Sequence, residues 1–223
     1  MLETSFINIH THHSIHIDGT LSILNCFPEQ IKIGNNNERG ISIGLHPWHV
    51  NKDNASSMID LIKTVASEKN VLAIGEIGLD RTIDMPLDIQ EKYFIEQIEI
   101  AENLNKPLII HCVKYFSELL SIKKRVKGST PWLIHGFRKN RKIASMLLEQ
   151  NCYLSFGEAL LFDKNNQNLF IEMPLDKIFL ETDDSENTIS EVYNKAAHIK
   201  GLQLEVLKAK LFDNYKTVFN ANK

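Results

Sequence analysis

Eight short runs rich in Ile, Val, Leu and Phe recur along the chain, and longer segments of helical periodicity separate the later ones. This alternation constrains the fold more than any other feature of the sequence. The runs are "SFINIH" near residue 5, "TLSILNCF" from Thr20, "GISIGLH" from Gly40, "NVLAIGEIG" from Asn70, "KPLIIHC" from Lys106, "TPWLIHGF" from Thr130, "NCYLSFG" from Asn151 and "DKIFLETD" from Asp176. Their hydrophobicity is continuous rather than alternating, the pattern of strands buried on both faces in a parallel sheet. Helical segments follow several of them: "NASSMIDLIKTVASEK", "IQEKYFIEQIEIAENLN", "FSELLSIKKRVK" and "NRKIASMLLEQ", with "EVYNKAAHIK" and "QLEVLKAKLFDNYKTVF" at the end. In the second of these, Phe94, Ile98, Ala101 and Leu104 fall on one helical face. The expected fold is α/β, a TIM-type (β/α)8 barrel read as a single domain over residues 1–223. Its first two strand-helix units are expected to be shortened or irregular. Only "HSIHIDG" separates the first two runs, where a parallel crossover ordinarily takes about a dozen residues or more. The polar "FPEQIKIGNNNERG" leaves the second and third runs to connect without a full helix or to pair partly antiparallel, with "GNNNERG" as a loop tip.

Composition narrows the function classes. With 43% hydrophobic and 24% charged residues the chain reads as a soluble globular protein. No apolar run approaches the roughly 18 residues of a membrane span, and "MLETSFINIH" does not read as a signal peptide, so a cytoplasmic location without membrane partners is expected. Cys26, Cys112 and Cys152 are odd in number and form no CxxC, which argues against a disulfide framework or thiolate zinc site. The formal charge of -3 provides no general attraction to nucleic acid, so a phosphate substrate would have to be drawn locally.

The ends of the runs carry the chemistry. His10 and His12 close the first, His46 the third, Glu76 and Asp80 the fourth, His111 the fifth, His135 the sixth, and Glu181 with Asp183 the eighth. In a barrel of this type the carboxyl ends of the strands build the active site. His10 and His12, two apart on an extended chain, point to one face and can reach one ion. Each residue alone also has an ordinary reading: a satisfied core histidine for His111 or His135, a helix cap for Asp183. Independent structural roles would not place imidazoles and carboxylates at the same end of so many runs. A metal centre is therefore expected, with one or two divalent ions. Imidazole and carboxylate ligands without thiolate suit Mg, Mn, Zn or Fe, and the sequence does not choose among them.

The order "HTH", "GLHPW", "GEIGLD", "PLIIHC", "LIHGF" and "LETDD" resembles that of TatD-type metal-dependent deoxyribonucleases of the amidohydrolase superfamily, and the match spans nearly the whole chain. Gln90, Phe94, Asn214 and Phe219 also match. The resemblance implies a barrel that hydrolyses phosphodiester bonds, in DNA, with a metal-activated water. Carried over motif by motif, it implies His10 and His12 on one metal, Glu76 bridging two, His111 and His135 on the second, and Asp183 completing the first site. Asp183 would also orient or deprotonate the water, which makes Asp183 and Glu76 the expected catalytic residues. His46 resembles the family's substrate-side histidine, and Asp80 is expected to fix loop geometry or hydrogen-bond a metal ligand.

Four departures from the family pattern stand out. Asn8 stands where Asp usually precedes HxH, so no negative charge tunes the first-strand ligands. Val113 replaces an Arg two positions after His111, leaving Lys114 as a partial substitute for a bidentate phosphate fork. Arg138 and Lys139 replace small residues after "HGF" and read either as phosphate contacts or as a solvated basic start to a helix. Ser185 stands in place of a proline. Trp48 and Phe137 flank two motif histidines and offer rings either to stack on a base or to pack. Without an extended basic stripe, short or single-stranded DNA is the expected substrate and digestion from strand ends the expected mode, by a monomer. Two alternatives stand beside this: a related amidohydrolase acting on another ester, amide or deaminable ring, and a non-catalytic metal-binding barrel.

Overall fold

The structure is a computed structural model that describes residues 5–15, 17–31, 40–51 and 53–219. The strands are β1 (Phe6–Thr11), β2 (Thr20–Cys26), β3 (Gly40–Ile43), β4 (Val71–Asp80), β5 (Leu108–Val113), β6 (Trp132–Ile134), β7 (Tyr153–Phe156) and β8 (Ile178–Leu180). The helices are α1 (Ala55–Val65), α2 (Leu87–Leu104), α3 (Phe116–Val126), α4 (Arg141–Glu149), α5 (Ala159–Phe162), α6 (Lys164–Glu172), α7 (Ile189–Lys200) and α8 (Leu204–Val218). The strands form one sheet in chain order, every described pairing is parallel, and a parallel bridge between Thr11 and Asp183 returns the order to β1. This is the TIM-type (β/α)8 class. Each apolar run of the sequence contains one strand. Helices α5 and α6, between β7 and β8, were not expected from the periodicity. Among the described residues no helix is long and apolar enough to cross a membrane.

By compactness the chain divides into two units, residues 1–24 with 135–223, and residues 25–134. In the first unit β1 is buried on both faces, with Ile7 and Ile9 fully enclosed and Asn8, His10 and Thr11 buried as well. It runs parallel to β2 although only residues 12–19 join them, and the register shifts between Asn8 and Thr11. No helix lies among the described residues of this link, the irregularity expected at the first turn. Tyr193 on α7 donates its hydroxyl to the Ile7 carbonyl and accepts from the Ile7 amide, each at 3.0 Å. Burial pushes the phenol above its ordinary pKa, so the bond stays neutral. Helix α7 starts on a capping box in which the Thr188 hydroxyl accepts from the Glu191 amide and the Glu191 carboxylate accepts from the Thr188 amide. On α8, the Asn214 amide donates to the carbonyls of Leu175 (2.8 Å) and Ile178 (3.0 Å), tying that helix to the start of β8. Phe219 lies 6.3 Å from Phe179 by ring centroids, so both closing family matches are packing and bracing residues.

In the second unit β4 is buried over nearly its whole length. Gly78, at φ +146°, lies so close to β5 that a Cβ there would stand 1.9 Å from the His111 carbonyl oxygen. Gln97 on α2 accepts from the Leu45 amide (2.6 Å) and donates to the Leu45 carbonyl (3.2 Å), which fixes the segment that carries His46. The Glu102 carboxylate accepts from the amides of Ser129 and Thr130 at 3.0 Å each and from the Thr130 hydroxyl, bracing the entry to β6. The connection after β2 holds a 3-10 turn at Pro28–Gln30. Residues 32–39, with most of the Asn-rich segment read as a loop tip, lie outside the described residues, as does His16. All three cysteines are free thiols.

Candidate metal centre

In the first unit, His10 is fully buried at the end of β1 and His12 follows it half in solvent. Their Nε2 atoms each lie 3.5 Å from the same oxygen, Asp183 Oδ1. The two-residue spacing therefore does put both imidazoles on one face. Backbone bonds hold Asp183 there: its amide donates to the His10 carbonyl and its carbonyl accepts from the His12 amide, both at 3.0 Å. Asp183 sits in the left-handed region at φ 55°. His135, at the end of β6, has its ring 4.5 Å from that of His10, and His10, His135 and Asp183 each offer one ligand atom within 4.8 Å of the others. Its Nδ1 lies 3.6 Å from Glu181 Oε1, which accepts from the Gly136 amide at 2.6 Å.

Asn8 makes a two-way exchange with Thr182, its amide donating to the Thr182 hydroxyl (2.9 Å) and its carbonyl oxygen accepting from the Thr182 amide (3.0 Å). The Thr182 hydroxyl donates onward to Thr11 Oγ1 at 3.0 Å. The departure at Asn8 is thus a neutral brace on the residue before Asp183. His13 is half-buried with Nε2 3.1 Å from the Ser185 carbonyl oxygen.

The second unit holds a different arrangement. Glu76 and Asp80, on one strand, are both buried, and His111 on β5 lies between them. Its Nδ1 is 3.0 Å from Glu76 Oε1 and its Nε2 3.0 Å from Asp80 Oδ2. Asp80 also accepts from the Trp48 indole N–H (2.7 Å) and from the amide and hydroxyl of Thr82 (2.8 and 2.6 Å). Burial on its own raises the Asp80 carboxyl, but the bonds from Thr82, Trp48 and His111 outweigh it and hold the group down at about 2. Gln90, a residue singled out by the motif match, accepts from the Asp80 amide (2.8 Å) and donates to its carbonyl (2.9 Å). Asp80 thus hydrogen-bonds His111, one of the residues expected as a metal ligand.

These bonds assign tautomers. An ionised Asp80 only accepts, so His111 Nε2 carries a proton, and on the neutral ring Nδ1 presents a lone pair to the Glu76 carboxylate. Two acceptors at 3.0 Å call for a positive group between them, and a divalent cation fits that demand. His46 is set the other way. Its Nδ1 accepts from the Trp48 amide at 3.1 Å, so its Nε2–H donates to Glu76 Oε1 at 3.1 Å. Although His46 offers an atom within 4.8 Å of Glu76 and His111, ligation through Nε2 would set two N–H groups against each other at Trp48. In the first unit the donor set also fits. A four-coordinate ion about 2.0–2.1 Å from each donor spaces them by about 3.3–3.4 Å, close to the 3.5 Å seen for both histidines on Asp183.

The remaining expected substrate residues are Lys114, Arg138 and Lys139. Lys114 is exposed, at φ 59°, just beyond β5. Arg138 pairs with Glu158 at 3.1 Å, and with Lys139 it lines a groove of about 520 Å3 beside Asn140 and Asn165. Phe137 is buried against Phe156, so its ring packs, whereas Trp48 is 62% exposed.

Comparison with known proteins joins this geometry to a lineage. The family model described as TatD related DNase matches residues 20–220. The chain belongs to that family. Among similar curated proteins are an uncharacterized metal-dependent hydrolase of Bacillus subtilis, YabD, 28% identical over 81% of this chain and 77% of its own length, and one of Escherichia coli, YcfH, 29% identical over 84% and 76%. The crystal structure of YjjV, a TatD homologue from Escherichia coli, superposes with a TM-score of 0.84 over 99% of this chain and all of the other at 19% identity, and so shares the fold. A TatD family hydrolase from Entamoeba histolytica superposes at 0.77 over 98% of this chain and 99% of its own, at 15% identity. This TatD-family chain is a metal-dependent hydrolase by descent, and both of its candidate groups consist of the imidazoles and carboxylates such an enzyme needs.

Proposed function

We propose that the protein is a deoxyribonuclease that cleaves phosphodiester bonds from the ends of short or single-stranded DNA, with His10, His12, Glu76, His111, His135 and Asp183 as the ligands of one or two divalent ions. The observation that carries the reading is the His111 ring held between Glu76 and Asp80, each 3.0 Å from one of its nitrogens. A bound divalent ion supplies Lewis acidity, lowers the pKa of a coordinated water and offsets the charge of a phosphoryl oxygen. Asp80 fixes the tautomer of His111, and His46 fixes the Glu76 carboxylate by donating to it. Asp183, with Oδ1 facing His10 and His12 and its side chain 36% exposed, is the proton acceptor for the attacking water. Arg138, Lys139 and Lys114 meet the phosphates beyond the scissile bond. Pairing of Arg138 with Glu158 and of Arg141 with Glu172 leaves no long cationic track among these residues, which favours strand ends over a duplex footprint.

The test is a panel of single-stranded, duplex and frayed oligonucleotides, with small esters and amides alongside, assayed with Mg, Mn and Zn. Cleavage of single strands that falls by at least about a hundredfold in both Asp183→Asn and His111→Ala, with folding retained, is the expected result. Turnover of another ester or amide without any nuclease activity would move the bond to that class. Nuclease activity untouched by either substitution would identify a contaminant and overturn the reading.

A further inference from the structure

A cleft in the second unit opens beside His46 and is lined in part by Phe27, Trp48, His49, Glu29 and Asp53, with a volume of about 1210 Å3. None of Phe27, Glu29, His49 or Asp53 belongs to either ligand group. From these residues we infer a nucleobase subsite, selective for cytosine and adenine over thymine. It deepens the phosphodiester reading and rests on it for the identity of the ligand.

A chain of rings leads from the ligand group into the cleft. The His111 and His46 centroids are 4.5 Å apart, His46 and Trp48 5.0 Å, His46 and His49 5.8 Å, and His49 and Phe27 4.9 Å. The outer members are exposed, Trp48 at 62% and Phe27 at 43%. Trp48 is nonetheless held in place, because its indole N–H donates to Asp80 Oδ2 at 2.7 Å and its amide donates to His46. A large ring fixed by its edge, with its face left to solvent, is preorganised for stacking and loses little freedom when a planar ligand lands on it. Base-aromatic stacking tolerates every base, so the rings alone set no preference.

The polar lining sets it. Glu29 and Asp53 line the cleft, and Asp84 lines it as well. Carboxylates only accept, and cytosine N4 and adenine N6 present amino donors where thymine presents a carbonyl oxygen. Carboxylate lining also disfavours the phosphate, so the base rather than the backbone belongs there. The cleft exceeds the roughly 300–1,000 Å3 usual for small-ligand sites and holds a nucleoside with room to spare.

The chain has two tryptophans, and Trp132 is 1% exposed, so quenching of the intrinsic fluorescence by a stacked base reports on Trp48. The protein is titrated with deoxycytidine, deoxyadenosine, thymidine and, as a base-free control, deoxyribose 5-phosphate. Saturable quenching by deoxycytidine and deoxyadenosine is expected, about fivefold weaker for thymidine and absent for the control, with deoxycytidine binding weakened about tenfold in Phe27→Ala and in His49→Ala. Both variant residues are exposed, and an unchanged thermal midpoint confirms the fold. No saturable quenching by any nucleoside, or equal binding in wild type and both variants, overturns the subsite. Thymidine binding as tightly as deoxycytidine overturns the amino preference. Because the readout needs no turnover, nucleoside binding without cleavage would sink the nuclease reading and leave the subsite. Cleavage of methyl p-nitrophenyl phosphate without nucleoside binding would do the reverse.

Discussion

The two candidate ligand groups are held in place in different ways. In the second unit the orientation of His111 depends on a buried anion, Asp80, which is itself positioned by Trp48, Thr82 and Gln90. In the first unit Asp183 is held by backbone bonds to His10 and His12 and by the neutral Asn8–Thr182–Thr11 chain. A charged brace is stronger than a neutral one and leaves a larger penalty when one partner is removed. The second unit should therefore fail abruptly when its bracing is altered, and the first should degrade by steps.

The sharpest contrast is between two glycines. Gly78→Ala would drive a Cβ to 1.9 Å from the His111 carbonyl at a backbone angle that L-residues avoid. We expect a loss of about 3–4 kcal/mol or failure to fold. Gly136→Ala, at φ 55° with its nearest neighbour 3.8 Å away, should cost only about 1–2 kcal/mol. Chemical denaturation of the two variants measures the difference, and equal losses would remove the contrast.

Next comes Asp80→Asn. It takes the charge from beside His111 and sets an amide donor among the four donors that Asp80 now accepts. Metal affinity should fall by about 10- to 100-fold, the usual range for the partner of a ligating histidine. Competition titration against a chelating dye checks this, and unchanged affinity would mean that His111 is oriented by packing alone.

Asn8→Asp should act more gently. A carboxylate cannot donate to Thr182 Oγ1, so that hydroxyl would turn to donate to it and abandon Thr11. The buried charge should lower stability by about 1–2 kcal/mol, while the added negative potential near His10 raises metal affinity. A gain in affinity with a loss in stability is the expected pair. A drop in both would show that the neutral amide is required for ligand placement.

How far the sequence revealed this contrast follows from where each brace lies. The strands were legible because two-sided burial makes each of them a continuous apolar run, and the candidate ligands because they lie at the ends of those runs. Helices α5 and α6 were not, since two of their buried positions are amides: Asn166 donates to the Phe137 carbonyl and Gln167 to the Leu160 carbonyl, each at 2.9 Å. Such residues erase the apolar periodicity that a helix reading needs. The register shift between β1 and β2 was hidden for a similar reason, because such a shift has no signature in composition. Of the bracing residues, Gln90 showed through its motif, but Trp48 Nε1 and the Asn25 side chain, which accepts from the Glu76 amide at 3.0 Å, arrive from other segments. Only folding brings them to the carboxylates.

The smallest expected effect tests whether the contrast extends beyond the ligands. The entry to β6 is braced by a carboxylate, Glu102, and the entry to β8 by a neutral amide, Asn214. Burial alone raises Glu102, but the bonds from Thr130 and Ser129 prevail and hold it below its ordinary 4.5. A carboxyl depressed in the folded state contributes stability that is fully present above its unfolded value and is lost as pH falls through the folded one. Acidification below about pH 4.5 should therefore loosen residues 129–130 while the Asn214 bonds, which do not titrate there, persist. Solvent screening keeps the effect below about 1 kcal/mol. Hydrogen exchange reads it as protection at the Thr130 amide that declines with pH in the wild type and is independent of pH in Glu102→Gln. Parallel loss around Asn214 would mean that the acid response is global, and that charged and neutral bracing do not separate the two units.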